Sequence, residues 1–242
     1  MKHRINWPKT ILEIIALLAW VVVGMFISEL IIAYPLYWLL GNSVTTPFWN
    51  SIYIIFSDLL RLVIIIGLPY FISKRKNLPF FTTTREELGL KGLPTWSDVG
   101  LGPIAYFAYI LLFSVVLQFL QNFSWFNANE AQNLGYSTLT NPADKVLAFI
   151  ALAVITPIVE EVIFRGFLYG KIRARLPMIP SILLVSILFA VLHGQWNAAI
   201  AVFILSVLNC SLREITGTIY AGILAHMIMN GLATFIKYVF VL

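Results

Sequence analysis

Long apolar runs separated by short polar interruptions dominate this chain, with no internal repeat and no low-complexity tract. The runs cover residues 11–33, 48–72, 99–123, 146–169, 179–193, 198–212 and about 216–242. Roughly 20 apolar residues make one helical crossing of a bilayer. The pattern therefore predicts an all-α, polytopic transmembrane bundle of about seven spans, with an eighth left open. Runs 179–193 and 198–212 hold about 15 residues each, short of a crossing, and predict tilt, partial re-entry or extension into their flanks.

Composition agrees with the pattern. Of 242 residues, 60% are hydrophobic and 11% charged, against roughly 45–50% and about 25% in soluble domains. That excludes a water-soluble globule, and disorder with it. The length is filled by spans and short loops, leaving no separate soluble domain. Residues 1–143 are expected to supply N-terminal helices and a polar 73–98 loop, and residues 144–242 the helical core that carries the chemistry. The 73–98 loop mixes Pro79, Gly89, Gly92 and Pro94 with apolar residues, so it is expected to lie on the cytoplasmic surface rather than hang free. The bilayer is the expected environment, and so compact a chain suits a prokaryotic plasma membrane.

The net charge of +5 would raise nucleic-acid binding in a soluble protein. Here the basic residues sort by loop. Lys2, Arg4 and Lys9, the 73–98 and 170–176 loops and Arg213 are basic, whereas 34–46, 124–141 and 194–197 hold no Lys or Arg. The positive-inside rule places the N-terminus in the cytoplasm and, after seven spans, the C-terminus outside; no nucleic-acid partner is implied. Six tryptophans (Trp7, Trp38, Trp49, Trp96, Trp125, Trp196) flank the runs as an interfacial belt would. The first run lacks an A-x-A-like cleavage site and reads as an uncleaved span. Cys210, the single cysteine, reads as an apolar packing residue.

Ionisable groups inside spans are costly, roughly 2.5–3.5 kcal/mol each at a helix centre, so each calls for a reason. Asp58 and Arg61, three apart, can neutralise each other as interhelical glue or line a polar cavity. Glu29 stands alone in the first span and reads as snorkelling or hydrogen-bonded. His3 reads as a surface residue. The C-terminal hundred residues are richer. Glu160 and Glu161 are adjacent in an apolar helix, and Arg165 lies four residues on, on the face of Glu161. Glu161 is thus expected to be held ionised by Arg165, while Glu160, about 100° round the helix, is less compensated. His193 ends the fifth run, and His226 and Asn230 share a face of the last.

Together these groups support water activation. A glutamate and a histidine can relay a proton from water to a leaving amine, and a histidine and an amide can stabilise an oxyanion. Equally, Glu160, His193 and His226 form a two-His, one-Glu set of the kind that holds Zn2+ with water in an open position. A metal-bound and a metal-free mechanism both remain open, and either gives hydrolysis. There is no H-E-x-x-H, G-x-G-D or G-x-S-G signature, and no phosphate-binding loop. Counting about 1.5 Å per residue puts Glu160 slightly cytoplasmic of the midplane and His193 about 10 Å further out. One boundary must therefore shift or the fifth segment be displaced.

Three motifs, Glu160-Glu161 to Arg165, Phe189 to His193 and His226 to Asn230, stand in order on separate helices. In this the chain resembles the CPBP family of type II CAAX prenyl endopeptidases and bacteriocin-processing or self-immunity membrane proteins. The likeness extends over about residues 144–235, including Arg213-Glu214-Ile215-Thr216-Gly217 ahead of the last motif, and touches Leu88-Gly89-Leu90 and Trp96 loosely. The resemblance implies that Glu160 and His193 activate water, that His226 and Asn230 stabilise the oxyanion, and that Glu161 and Arg165 support the site. It implies an intramembrane endopeptidase acting on a membrane-associated peptide or protein, such as a prenylated CAAX-type or peptide-precursor substrate. The alternatives are a non-enzymatic immunity or scaffold protein using the same polar core, and a proton-relaying transporter, which would ordinarily show inverted repeats.

Overall fold

The computed structural model describes residues 7–76, 83–124, 126, 136 and 139–238. His3, Trp125 and Glu130 lie outside them. Seven helical rods and no strand occur among the described residues. They are α1 (Trp7–Leu40), α2 (47–76), α3 (Trp96–Leu120), α4 (Pro142–Arg173), α5 (Met178–Val191), α6 (Trp196–Thr216) and α7 (Tyr220–Tyr238). Five of them (α1, α2, α3, α4 and α6) are long and apolar enough to cross a membrane, so the chain is an all-α, polytopic integral membrane protein. Large apolar side chains such as Phe26, Leu30, Phe107 and Leu111 lie exposed on α1 and α3, the surface a lipid environment covers rather than water.

The two short runs resolve differently. α6 reaches from Trp196 to Thr216, 21 residues, because the helix continues through polar residues at both ends of the 198–212 run. α5 stays short at 14 residues, about 21 Å against roughly 32 Å for α6. His193, in the turn after α5, lines the same cavity as Glu160 despite the offset of about 10 Å expected from counting.

α4 is the central rod, with half of its most apolar stretch buried, against about a fifth for α1 and α2. It starts at an Asn141 cap, whose Oδ1 accepts from Ala143 N at 2.9 Å ahead of Pro142. It then widens twice into π-helical stretches, Ile150–Ile155 and Val162–Tyr169. The first runs into Pro157, whose missing N–H cannot continue the regular ladder. α2 repeats the device, with a π stretch at Val63–Gly67 just before Pro69. Widened turns free carbonyls for partners on other helices. Trp20 Nε1 donates to Ile65 O at 3.0 Å, and Asn230 Nδ2 donates to Leu152 O at 3.0 Å. Trp20, the tryptophan absent from the interfacial set, is thus an interhelical donor. One turn on, Gly24 lets Ile65 approach so closely that a Cβ would meet its side chain at 2.5 Å.

Residues 83–95, the described part of the segment before α3, pack against other helices. Thr95 and Asp98 form a reciprocal capping box, and Asp98 Oδ1 also accepts from Thr218 at 3.0 Å. Gly89, with φ +72°, turns the chain so that its carbonyl accepts from Ile219 N at 3.1 Å. Arg213 donates to the Glu87 carbonyl. Leu88 is buried beside Gly166, where a Cβ would meet the Leu88 carbonyl at 3.0 Å. The segment is strapped to α4, α6 and the start of α7. Cys210 is fully buried.

Candidate active site

The site grows from the junction where α4 passes from regular helix to its second π stretch. Glu160 and Glu161 close the regular part, Arg165 sits in the widened part, and Glu161 and Arg165 are fully buried. One oxygen, Glu161 Oε1, serves three partners: Arg165 Nη1 at 3.2 Å, Asn209 Nδ2 at 3.0 Å and His226 Nδ1 at 3.0 Å. An ionised carboxylate only accepts, so Nδ1 of His226 carries the proton and Nε2 points away from Glu161. The Glu161–Arg165 pair expected from spacing is therefore present, and it also orients the imidazole. α7 can come this close because Gly222 has no side chain; a Cβ there would lie 3.3 Å from both Asn209 Cγ and Glu161 Oε2. Asn209 completes the joint by donating to Gly222 O at 3.2 Å.

Glu160 turns to the other side. It borders a cavity of about 320 Å³ that His193, His226 and Asn230 also line. The four candidates thus come together from α4, the α5–α6 turn and α7. His226 Nε2 lies 3.7 Å from Glu160 Oε2. His193 Nδ1 is 2.8 Å from Phe189 O, and since a carbonyl only accepts, that nitrogen carries the proton and Nε2 of the neutral ring is a proton acceptor. Phe189 holds the histidine geometry together. Its ring meets His193 edge-on at 4.8 Å, Phe164 at 4.8 Å and His226 at 6.0 Å, and the Arg165 guanidinium covers it at 4.4 Å. Asn230, anchored through one N–H to Leu152 O, keeps a second amide hydrogen.

Two features escape a reading by spacing. Asn209 lies inside the sixth apolar run, where an amide is costly enough to signal a buried partner. The second is the opposite cavity wall. Arg61 of α2 donates to Asp58 and to Glu29 of α1, Asp58 Oδ2 accepts from Thr156 of α4, and Glu29, Arg61 and Thr156 line the same cavity as Glu160. Glu29 is therefore paired, and the Asp58–Arg61 pair takes the cavity role as well as linking helices.

Glu160, His193 and His226 border one cavity, yet no three His, Cys, Asp or Glu side chains among the described residues stand close enough together to hold a metal ion. As placed, the set does not fit a zinc site, and the chemistry below runs through the side chains themselves.

The family model described as type II CAAX prenyl endopeptidase Rce1-like matches residues 142–232. That stretch holds α4 through most of α7, and with it all three motifs. No curated protein and no solved structure matches the chain.

Proposed function

We propose that the chain is a CAAX-type protease, to whose family model residues 142–232 are similar, and that it acts as an intramembrane endopeptidase that hydrolyses a peptide bond of a membrane-associated substrate by Glu160 and His193 water activation. The observation that carries this reading is the convergence of Glu160, His193, His226 and Asn230 on one cavity behind which Glu161 is locked.

The steps follow from donors and acceptors. Glu160 and the unprotonated Nε2 of His193 take a proton from water as its oxygen attacks the scissile carbonyl carbon. The carbonyl oxygen becomes an oxyanion, received by the free amide hydrogen of Asn230 and by Nε2–H of a His226 protonated on both ring nitrogens. Collapse breaks the C–N bond, and the proton held by the Glu160–His193 pair passes to the leaving amine. Glu161 and Arg165 position His226. The substrate class is a prenylated CAAX-type or a peptide-precursor protein reaching the site from the cytoplasmic side, where the positive-inside rule expects the N-terminus.

The test uses purified protein in lipid vesicles with prenylated and unprenylated C-terminal peptides. Cleavage by the wild type and a loss of about 10²–10⁴-fold in Glu160→Gln support the reading. Unchanged cleavage by a folded Glu160→Gln protein contradicts it.

A further inference from the structure

A second cavity lies back to back with the catalytic one. It holds about 540 Å³ and is walled by α3, α5 and α6 through side chains such as Val116, Ile187, Ile200, Phe203 and Ile204. Among the described residues, none lines both cavities. The last turn of α5 and the residues after it form the partition. Phe189, Leu192 and His193 border the catalytic cavity, whereas Ala190, Val191 and Gly194 border the second. A Cβ on Gly194, whose φ is +69°, would meet nothing within 4 Å among the described residues. The turn that carries His193 therefore has open space behind it.

The lining says what the cavity takes. Among the described residues that line it none is charged, and only Gln195 and Trp196 bring polar side-chain atoms, both at the end where α6 begins. A peptide in such a cleft would leave backbone N–H and C=O groups unpaired, which an apolar setting penalises. A hydrocarbon chain carries no such groups. The cleft also has the direction of one, because from Trp196 to Ile204 it follows α6 for about 12 Å along a helix long enough to cross the bilayer. Trp196 is exposed, as a residue of the interfacial belt is, and the exposed Ile187 and Val191 open the cleft to the surrounding lipid.

We infer that this cleft binds one acyl chain of a bilayer phospholipid, with its ester end at Gln195 and Trp196, and that the chain backs the turn carrying His193. The site itself stands apart from the reading of the other cavity as a protease centre; its effect on catalysis rests on that reading. With no charge in the lining, the chain is recognised and the headgroup is not. The bound chain gives Ala190, Val191 and Gly194 van der Waals contacts on the side away from the catalytic cavity. His193 Nδ1 is held by Phe189 O of the same turn, so a turn packed on both sides keeps the imidazole in place.

The experiment needs no substrate for its first part. Full-length protein is extracted in mild detergent and its retained lipid is counted by native mass spectrometry. It is then reconstituted with phosphatidylglycerol or phosphatidylcholine carrying a diazirine at the chain end, illuminated and digested. One phospholipid per chain is expected, with residues 187–204 labelled about tenfold above the exposed α1 face at Phe26 and Leu30, whichever headgroup is used. Ala199→Phe, which puts a ring into the cleft, is expected to lose both the lipid and the excess label. Leu111→Phe, on the exposed face of α3 outside the cleft, keeps both. Labelling spread evenly over the lipid-facing helices of the wild type overturns the inference, as does a folded Ala199→Phe protein that still holds lipid and label. Displacement of the lipid by a prenylated peptide assigns the cleft to substrate and also overturns it. In the second part, lipid-stripped wild type is expected to lose kcat/KM several-fold and to regain it when either phospholipid is added. If stripping leaves cleavage unchanged, the lipid site stands and its support of His193 falls. If the labelling is as expected but nothing is cleaved, the lipid site stands and the hydrolytic reading falls.

Discussion

His226 Nδ1 lies 3.0 Å from Glu161 Oε1, the same oxygen that faces Arg165 Nη1 at 3.2 Å and accepts from Asn209 at 3.0 Å. One carboxylate atom therefore ties α4, α6 and α7 together and fixes which nitrogen of the imidazole reaches the cavity. Adjacent glutamates that look alike in the sequence are thereby divided into one locked between helices and one that lines the cavity.

That division predicts opposite outcomes for the two. Glu161→Ala strips the fully buried Arg165 of its ion-pair partner and is expected to cost about 3–5 kcal/mol, the usual penalty for a stranded buried charge. Thermal unfolding in detergent should fall sharply for Glu161→Ala and change little for Glu160→Gln, which keeps a polar group at the cavity rim.

Asn209 makes two hydrogen bonds, to Glu161 and to Gly222 O. Its replacement by alanine is expected to destabilise by about 1–3 kcal/mol, with a lower kcat because His226 loses part of its support. Parallel unfolding and single-turnover measurements check both effects.

Gly222→Ala places a methyl group 3.3 Å from Asn209 and Glu161, tighter than ordinary contact. α7 must yield by a few tenths of an ångström, carrying His226 with it. A rate loss of about tenfold with a mostly preserved fold is expected, since small misplacements of catalytic groups are costly. Gly231→Ala, whose Cβ would meet neighbours only at 3.6 Å or more, is the control.

Gly89→Ala meets two obstacles: φ is +72°, and the Arg213 guanidinium occupies the space a Cβ needs. The left-handed conformation alone costs about 1–2 kcal/mol. Hydrogen exchange at residues 84–90 and at Ile219 should rise in this variant while the cavity-lining helices stay protected.

Much of this was legible because charge inside an apolar run is rare and needs a reason. Glu160, Glu161, Arg165, His193, His226 and Asn230 announce themselves that way, and the i, i+4 spacing already pairs Glu161 with Arg165. The link from Glu29 to Arg61 is not readable, since it joins residues 32 apart on different helices and only packing brings them together. Asn209 was equally anomalous in its run, but an isolated amide carries no spacing partner to point to Glu161. The ends of α6 were hidden because polar residues such as Asn197 and Glu214 truncate the apolar run while leaving the helix intact. The π stretches have no residue signature beyond the prolines that follow two of them, so the carbonyls of Leu152 and Ile65 could not be assigned to Asn230 and Trp20.

The most direct test of hydrolysis at Glu160 compares peptides released from native membranes carrying wild-type protein or Glu160→Ala at matched abundance, read by mass spectrometry of new chain termini. The account predicts termini present only with the wild type. Identical peptide sets from the two, with the variant folded, would contradict it.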